Sequence, residues 1–260
     1  MSATGQLRRL ASFAARYLHA AALVAYSFTF GLASPRRRRL IRQLAREANY
    51  QQLPRPSLPS VPIESITNEV TSVALPYPQA ADGNVSLLEL FVLARLARER
   101  SPAALFEIGT FNGRSAAAMA ANTPDSATVF TLDLPPHHAT RFQLLGSERA
   151  YVEKPSSGEL LRNSPFESKV KQLYGDSAAF DFAPYKVDFV FVDGSHAYEY
   201  VMSDSYRALS MLRDGRGLVL WHDYGEWEGV TRALNELHER DLAFANLRHI
   251  DGTTLAMLEK

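Results

Sequence analysis

Four short apolar runs, ALFEIG, TVFTLDL, VDFVFVDG and RGLVLWHDY, each carry a glycine or an aspartate at or beside their end, and helical sequence separates most of them. Runs without polar alternation suit strands buried on both faces, and such strands occur in parallel sheets covered by helices. KVKQLYG adds a fifth strand, and the Asp-Gly turn in NLRHI-DG-TTLAML marks a closing hairpin. Between them lie helical stretches, of which SLLELFVLARLARER opens with Ser86 and Glu89 in capping-box spacing. The order predicts an α/β, doubly wound, mostly parallel seven-stranded sheet with a C-terminal antiparallel hairpin. In such sheets a ligand sits beyond the carboxyl ends of the strands, where strand order reverses.

Charge divides the chain more sharply than composition does. Overall, 28 basic and 28 acidic residues cancel, which favours neither nucleic acid nor an acidic partner. The first fifty residues, however, hold nine arginines and one acid, Glu47. Within them YLHAAALVAYSFTFGLASP precedes RRRR at 36–39, so residues 1–50 form a basic and apolar helical extension. Three readings of it stay open: a helix packed on its own domain or on a second copy in a homo-oligomer, a helix lying on a membrane surface, and a span. Residues 51–83, rich in proline, read as a linker, and residues 84–260 as the main domain, with 135–168 as an insertion or lid. The absence of cysteine excludes disulfides and thiolate chemistry and fits a cytoplasmic protein.

The loop EIGTFNGRS follows the first strand of that domain. Gly109 and Gly113 in it can adopt positive φ or bring bare backbone against a ligand, and the next helix presents free N–H groups. A dinucleotide site would show G-x-G-x-x-G and a phosphate loop G-K-S/T; neither is present. Asp133 ends the second strand, where an acid accepts from ribose hydroxyls, and Asp176 and Ser177 follow the third, within reach of an adenine edge. These positions together suit a nucleoside with a short zwitterionic tail.

Those motifs, FEIGTFNGRSA, FVDGSHAYEYV and WHDY in that order, resemble the class I S-adenosylmethionine-dependent methyltransferases, over about residues 84 to 258. The resemblance is to their Rossmann-like catechol and caffeoyl-CoA O-methyltransferase branch, with bacterial enzymes that modify sugars or natural products. It implies that Glu107, Gly109, Phe111, Gly113 and Ser115 surround the methionine part of the cofactor, that Asp133 holds the ribose, and that Asp176 and Ser177 lie near the adenine. It also implies a small hydroxylated substrate and no nucleic-acid partner.

Asp193, His196, His222 and Asp223 follow two strands expected to be neighbours, so they can converge above one edge of the sheet. Asp193, His222 and Asp223 are then candidate ligands for Mg²⁺, with the imidazole shifting preference toward Mn²⁺ or Zn²⁺. In the catechol-type relatives an Asp-Asn pair and an earlier Asp bind the metal, and a lysine three residues past that Asp is the base. Here Tyr224 replaces the amide and His196 stands at the lysine position. His196 and Asp193 are the candidate catalytic residues, with proton removal by His196 or by a metal-lowered hydroxyl pKa both open. A cofactor-binding protein that has lost its base, peripherally attached to a membrane, is the alternative function.

Overall fold

The computed structural model describes residues 17–26, 29–34, 38, 54–67, 71–81, 83–154 and 156–260. The chain divides into two units, Met1–Gln52 and Leu53–Lys260. In the first, residues 17–26 are helical and exposed throughout, with Tyr17 and Leu18 each 68% accessible. Among the described residues, no helix is long and apolar enough to cross a membrane. The arginines expected to define this segment otherwise lie outside the described residues, Arg38 excepted.

The second unit is built on one sheet, and its strands form where the apolar runs lie. They are β1 (Ser60–Val61), β2 (Ala104–Ile108), β3 (Thr128–Asp133), β4 (Val170–Tyr174), β5 (Phe189–Val192), β6 (Leu218–Trp221), β7 (Arg248–Ile250) and β8 (Ala256–Glu259). Their order is β1-β7-β8-β6-β5-β2-β3-β4, parallel except where β8 runs antiparallel to β6 and β7. The sheet therefore has eight strands rather than the seven expected. The extra one comes from the proline-rich stretch: Ser60 and Val61 pair with His249 and Ile250, an edge position that tolerates the flanking prolines. Residues 51–83 thus do more than link, because part of them belongs to the sheet.

Strand side chains alternate between two cores. Phe106, Ile108, Val190 and Val192 face α3 (Tyr198–Met211) and α4 (Glu228–Arg240), whose Val201, Ala208, Ala233 and Leu234 cover them. Leu105, Phe189 and Phe191 face α1 (Leu87–Arg100) and α2 (Arg114–Ala121). The alanines of α2, nearly all buried, let that helix lie close against the sheet. Each fully buried Leu or Phe here contributes about 1.5–3 kcal/mol through loss of apolar contact with water. At the head of α2, Arg114 is 1% exposed, and its guanidinium donates to the carbonyls of Tyr77 (2.7 Å), Val85 (2.8 Å) and Pro78 (3.0 Å). The chain leading into α1 is thereby held against the loop that follows β2.

Strand order reverses between β2 and β5, so the ends of these two strands open the crevice where a ligand is expected.

Candidate active site

The glycines of the β2–α2 loop have a use different from the open backbone cradle that their spacing permits. Gly109 (φ +104°) lies so close to the Asp193 carbonyl that a Cβ would overlap it. Gly113 (φ +90°) faces Leu161 and Gly158 of the insertion. Both glycines thus serve close approach of protein to protein, joining the ends of β2 and β5 and seating the insertion, in backbone conformations that L side chains rarely adopt. Phe111 (φ +48°) packs edge-on to Tyr151, and Gly158 N–H donates to the Phe111 carbonyl.

Two groups of ionisable residues flank this junction. On the β2–β4 side, Glu107 is fully buried, accepts from Thr131 at 2.5 Å and leaves its Oε1 without a partner. Burial pushes its carboxyl up to about 8, against the hydrogen bonds of Ser115 and Thr131. Asp133, at the end of β3, is held by two insertion residues, Lys154 at 2.7 Å and Ser157. Its carboxyl is raised by burial, which the Lys154 ammonium opposes only in part. Asp176 accepts from Arg141 N–H (2.6 Å), Ala178 N–H (3.1 Å) and Tyr200 hydroxyl (2.9 Å). Ser177 donates to the buried Asp204. The sequence expectation that Asp176 and Ser177 face an adenine thus meets a local network in which both already have protein partners. Donor groups of an adenosyl amino acid fit the acceptors Glu107 and Asp133, one with a buried oxygen unpartnered and the other at a strand end beside the crevice. Lys154 and Ser157 then have to share Asp133 with the ribose or withdraw from it.

On the β5–β6 side the four predicted residues do come together. His222 Nδ1 lies 3.1 Å from both Asp193 Oδ1 and Asp223 Oδ2, and one ligand atom from each of these three residues fits within 4.8 Å of the others. Two carboxylates and an imidazole at that spacing fit a divalent cation. His196 Nε2 is 2.6 Å from Asp223 Oδ2, and its ring stacks on Trp227 with centroids 4.1 Å apart and planes 6° from parallel. Asp223 adopts φ +67°, a left-handed conformation that aspartate tolerates better than most residues and that turns its carboxylate back toward both histidines.

Two further carboxylates complete the cluster, and neither was singled out for it from sequence. Glu89 closes the expected capping box with Ser86, but it also accepts from Thr254 N–H (2.7 Å) and lies 3.3 Å from His222 Nε2. Glu148, from the insertion, is 2.7 Å from His196 Nδ1 and accepts from the Ser195 hydroxyl and the His196 backbone N–H. Glu89 gave a sequence signal of the wrong kind, a helix cap, while Glu148 sits in a stretch without periodicity. Burial alone would lower the His196 imidazole, yet Asp223 and Glu148 outweigh it and raise it to about 9. Burial likewise opposes charge on His222, and Asp223 and Asp193 carry it well above the usual value. Against the same burial the histidines hold Asp223, Glu89 and Glu148 below the carboxylate range, whereas Asp193 is raised by burial that His222 only partly offsets.

Of the flanking sequence features, His137 and His138 are exposed loop residues. Arg141 and Lys154 have protein partners, and Phe142 packs edge-on to Tyr200.

Residues 106–224 match a methyltransferase-domain family, Methyltransf_24. No curated protein matches the sequence. Among solved structures, the O-methyltransferase NovP is similar at 18% identity and a TM-score of 0.50, covering 67% of this chain and 80% of NovP. TomG from Streptomyces achromogenes, solved with S-adenosylmethionine, shares 21% identity over 69% of this chain and 82% of its own, at a TM-score of 0.48. PaMTH1 from Podospora anserina, bound to S-adenosylhomocysteine, shares 17% identity over 68% and 80% respectively, also at 0.48. At 18% identity the likeness to NovP speaks to the fold alone, and the family match speaks to the domain. Residues 106–224 thus form a methyltransferase domain, in agreement with the resemblance of this region to the class I S-adenosylmethionine-dependent methyltransferases.

Proposed function

We propose that the protein transfers the cofactor methyl to a hydroxyl of a small molecule, with a divalent cation assisting. The observation that carries this reading is the convergence of Asp193, His222 and Asp223 beside His196 at the rim of the β2–β5 crevice. Glu107, Gly109, Phe111, Gly113, Ser115 and Asp133 are the proposed surroundings of the cofactor, and Asp176 and Ser177 support the wall nearest its adenine. When bound, the cofactor would supply an electrophilic methyl to the substrate oxygen, with the carbon–sulfur electron pair staying on the thioether.

The residues of this chain then have separate tasks. Asp193, His222 and Asp223 would hold the cation, which would supply Lewis-acid activation of the acceptor hydroxyl. His196 is the proposed acceptor of the hydroxyl proton in its neutral form, and because Asp223 occupies Nε2 at 2.6 Å the substrate hydroxyl has to take that carboxylate's place at the ring. Trp227 fixes the plane of that ring from one face. Tyr151, beside Phe111, is the proposed insertion-side wall of the acceptor pocket, whereas Phe142 and Leu144 pack with Tyr200. Holding oxygen, methyl carbon and sulfur near collinearity is worth on the order of several kcal/mol and needs walls of this kind on both sides.

The test is transfer of radiolabelled methyl from S-adenosylmethionine to a panel of catechols, polyphenols and methyl glycosides, with Mg²⁺, Mn²⁺, Zn²⁺ or chelator. The expected result is labelled methyl ether formed with at least one metal and lost on chelation. Cofactor binding without transfer to any member would overturn the acceptor class, and full transfer after exhaustive chelation would overturn the cation.

A further inference from the structure

We infer that Glu148 is a positioning residue for His196, supplied by the insertion. This rests on the reading of His196 as the proton acceptor but concerns a residue that neither the motifs nor the strand ends indicate. Glu148 is 3% exposed, and its carboxylate meets one short loop at three points: the Ser195 hydroxyl (3.1 Å from Oε2), the His196 backbone N–H and the His196 ring at Nδ1 (2.7 Å). The ring contact is short but out of line for a hydrogen bond, so it acts as a charge contact, while the backbone and hydroxyl bonds fix the loop. Its fourth contact is to its own segment, from Leu145 N–H at 2.9 Å.

The geometry around the ring gives this its consequence. His196 is bounded by Glu148 at Nδ1, Asp223 at Nε2 and Trp227 on one face. Asp223 also faces His222 and is shared with the cation site, so it cannot fix the ring by itself. Glu148 is the partner with no second duty there. The ring thus lies between two carboxylates, and Glu148 is the one that also holds the backbone and hydroxyl of the loop carrying it, so it sets where Nε2 sits relative to Asp223 and the crevice. Here that acid comes from a different segment, 48 residues earlier in the chain. The base is therefore in place only while residues 145–148 are seated against the loop at 194–196.

Two variants test this, Glu148→Gln, which keeps the shape and an acceptor for the backbone N–H, and Glu148→Ala, with His196→Ala as reference. Tryptophan emission reads the ring's position, because an imidazole stacked on Trp227 at 4.1 Å perturbs the indole and a displaced one does not. Expected are emission of the Glu148 variants shifted toward that of His196→Ala, and kcat for the acceptor found in the methyl-transfer panel lowered about tenfold or more, with KM and S-adenosylhomocysteine affinity within about twofold of the parent. Emission and kcat both unchanged would overturn the inference, as would shifted emission with full kcat in a protein whose His196→Ala variant is impaired. Loss of cofactor affinity in parallel with kcat would also overturn it, by showing a general structural role. Should His196→Ala itself retain full turnover, the proton-acceptor reading falls, while the emission result still decides whether Glu148 sets the ring.

Discussion

The two sides of the crevice bury acids to a similar degree and, Asp193 excepted, treat them in opposite ways. Glu107 and Asp133, at the ends of β2 and β3, are 0% and 7% exposed, and their carboxyls are raised. Glu89, Glu148 and Asp223, around the ends of β5 and β6, are 4%, 3% and 8% exposed, and theirs are lowered. Desolvation acts on all five, so the difference lies in the partners: two histidines on one side, and on the other hydroxyls, backbone N–H groups and a single lysine. Glu107, held up to about 8, donates as well as accepts when protonated, which suits the polar groups of an organic cofactor. An acid kept charged suits a cation or a proton in transit.

The largest break in this contrast is expected from Asp223→Asn, which keeps a residue tolerant of positive φ but removes the charge between the two histidines. Methyl transfer should fall about a hundredfold or more, and urea unfolding should show a loss of about 3 kcal/mol, because two imidazoles are left with a missing partner. Wild-type values for both would mean that the histidines do not depend on this acid.

Glu107 gives the next effect, through pH. Its folded carboxyl, at about 8, lies above the unfolded value, so the folded state binds the extra proton. Stability is therefore highest below the unfolded pKa and declines as pH rises from there through about 8. Glu107→Gln should remove that decline, gaining up to about 5 kcal/mol relative to the parent on going from about pH 5 to about pH 9. Parallel stability curves for the two proteins would refute the assignment. Asp204, pushed to about 7 with Oδ1 unpartnered, has the same sign and a smaller span. For Asp204→Asn the relative gain should reach at most about 4 kcal/mol and be complete by about pH 8, checked by the same titration.

The smallest effect sharpens the junction between the two sides. Gly113→Ala puts a Cβ within 2.6 Å of Leu161 Cγ at φ +90°, and thermal unfolding should register a loss of about 1–3 kcal/mol. An unchanged transition would mean that the insertion yields freely at that contact.

Much of the sheet was legible because burial on both faces leaves apolar runs, and the aspartates at their ends were legible because each run stops where the chain turns into the crevice. Asp193, His222 and Asp223 were found this way. Glu89 was visible only as a helix cap, since nothing local to SLLELF says that Thr254 and His222 will share its carboxylate. Glu148 lies in a segment that is positioned by contacts far away in sequence, and such contacts leave no periodic trace. The same limit hid β1: a two-residue strand among prolines has no pattern of its own and becomes a strand only through β7.

Arg114 bears on how this protein can be shortened. A truncation starting where the methyltransferase motifs begin would discard the carbonyls of Tyr77 and Pro78 and leave a guanidinium sealed inside with one acceptor of three. It would also uncover the open margin of β7, inviting strand-to-strand association between molecules. Shortened versions beginning near residue 84 should thus yield aggregates, whereas those retaining everything from residue 54 should remain dispersed.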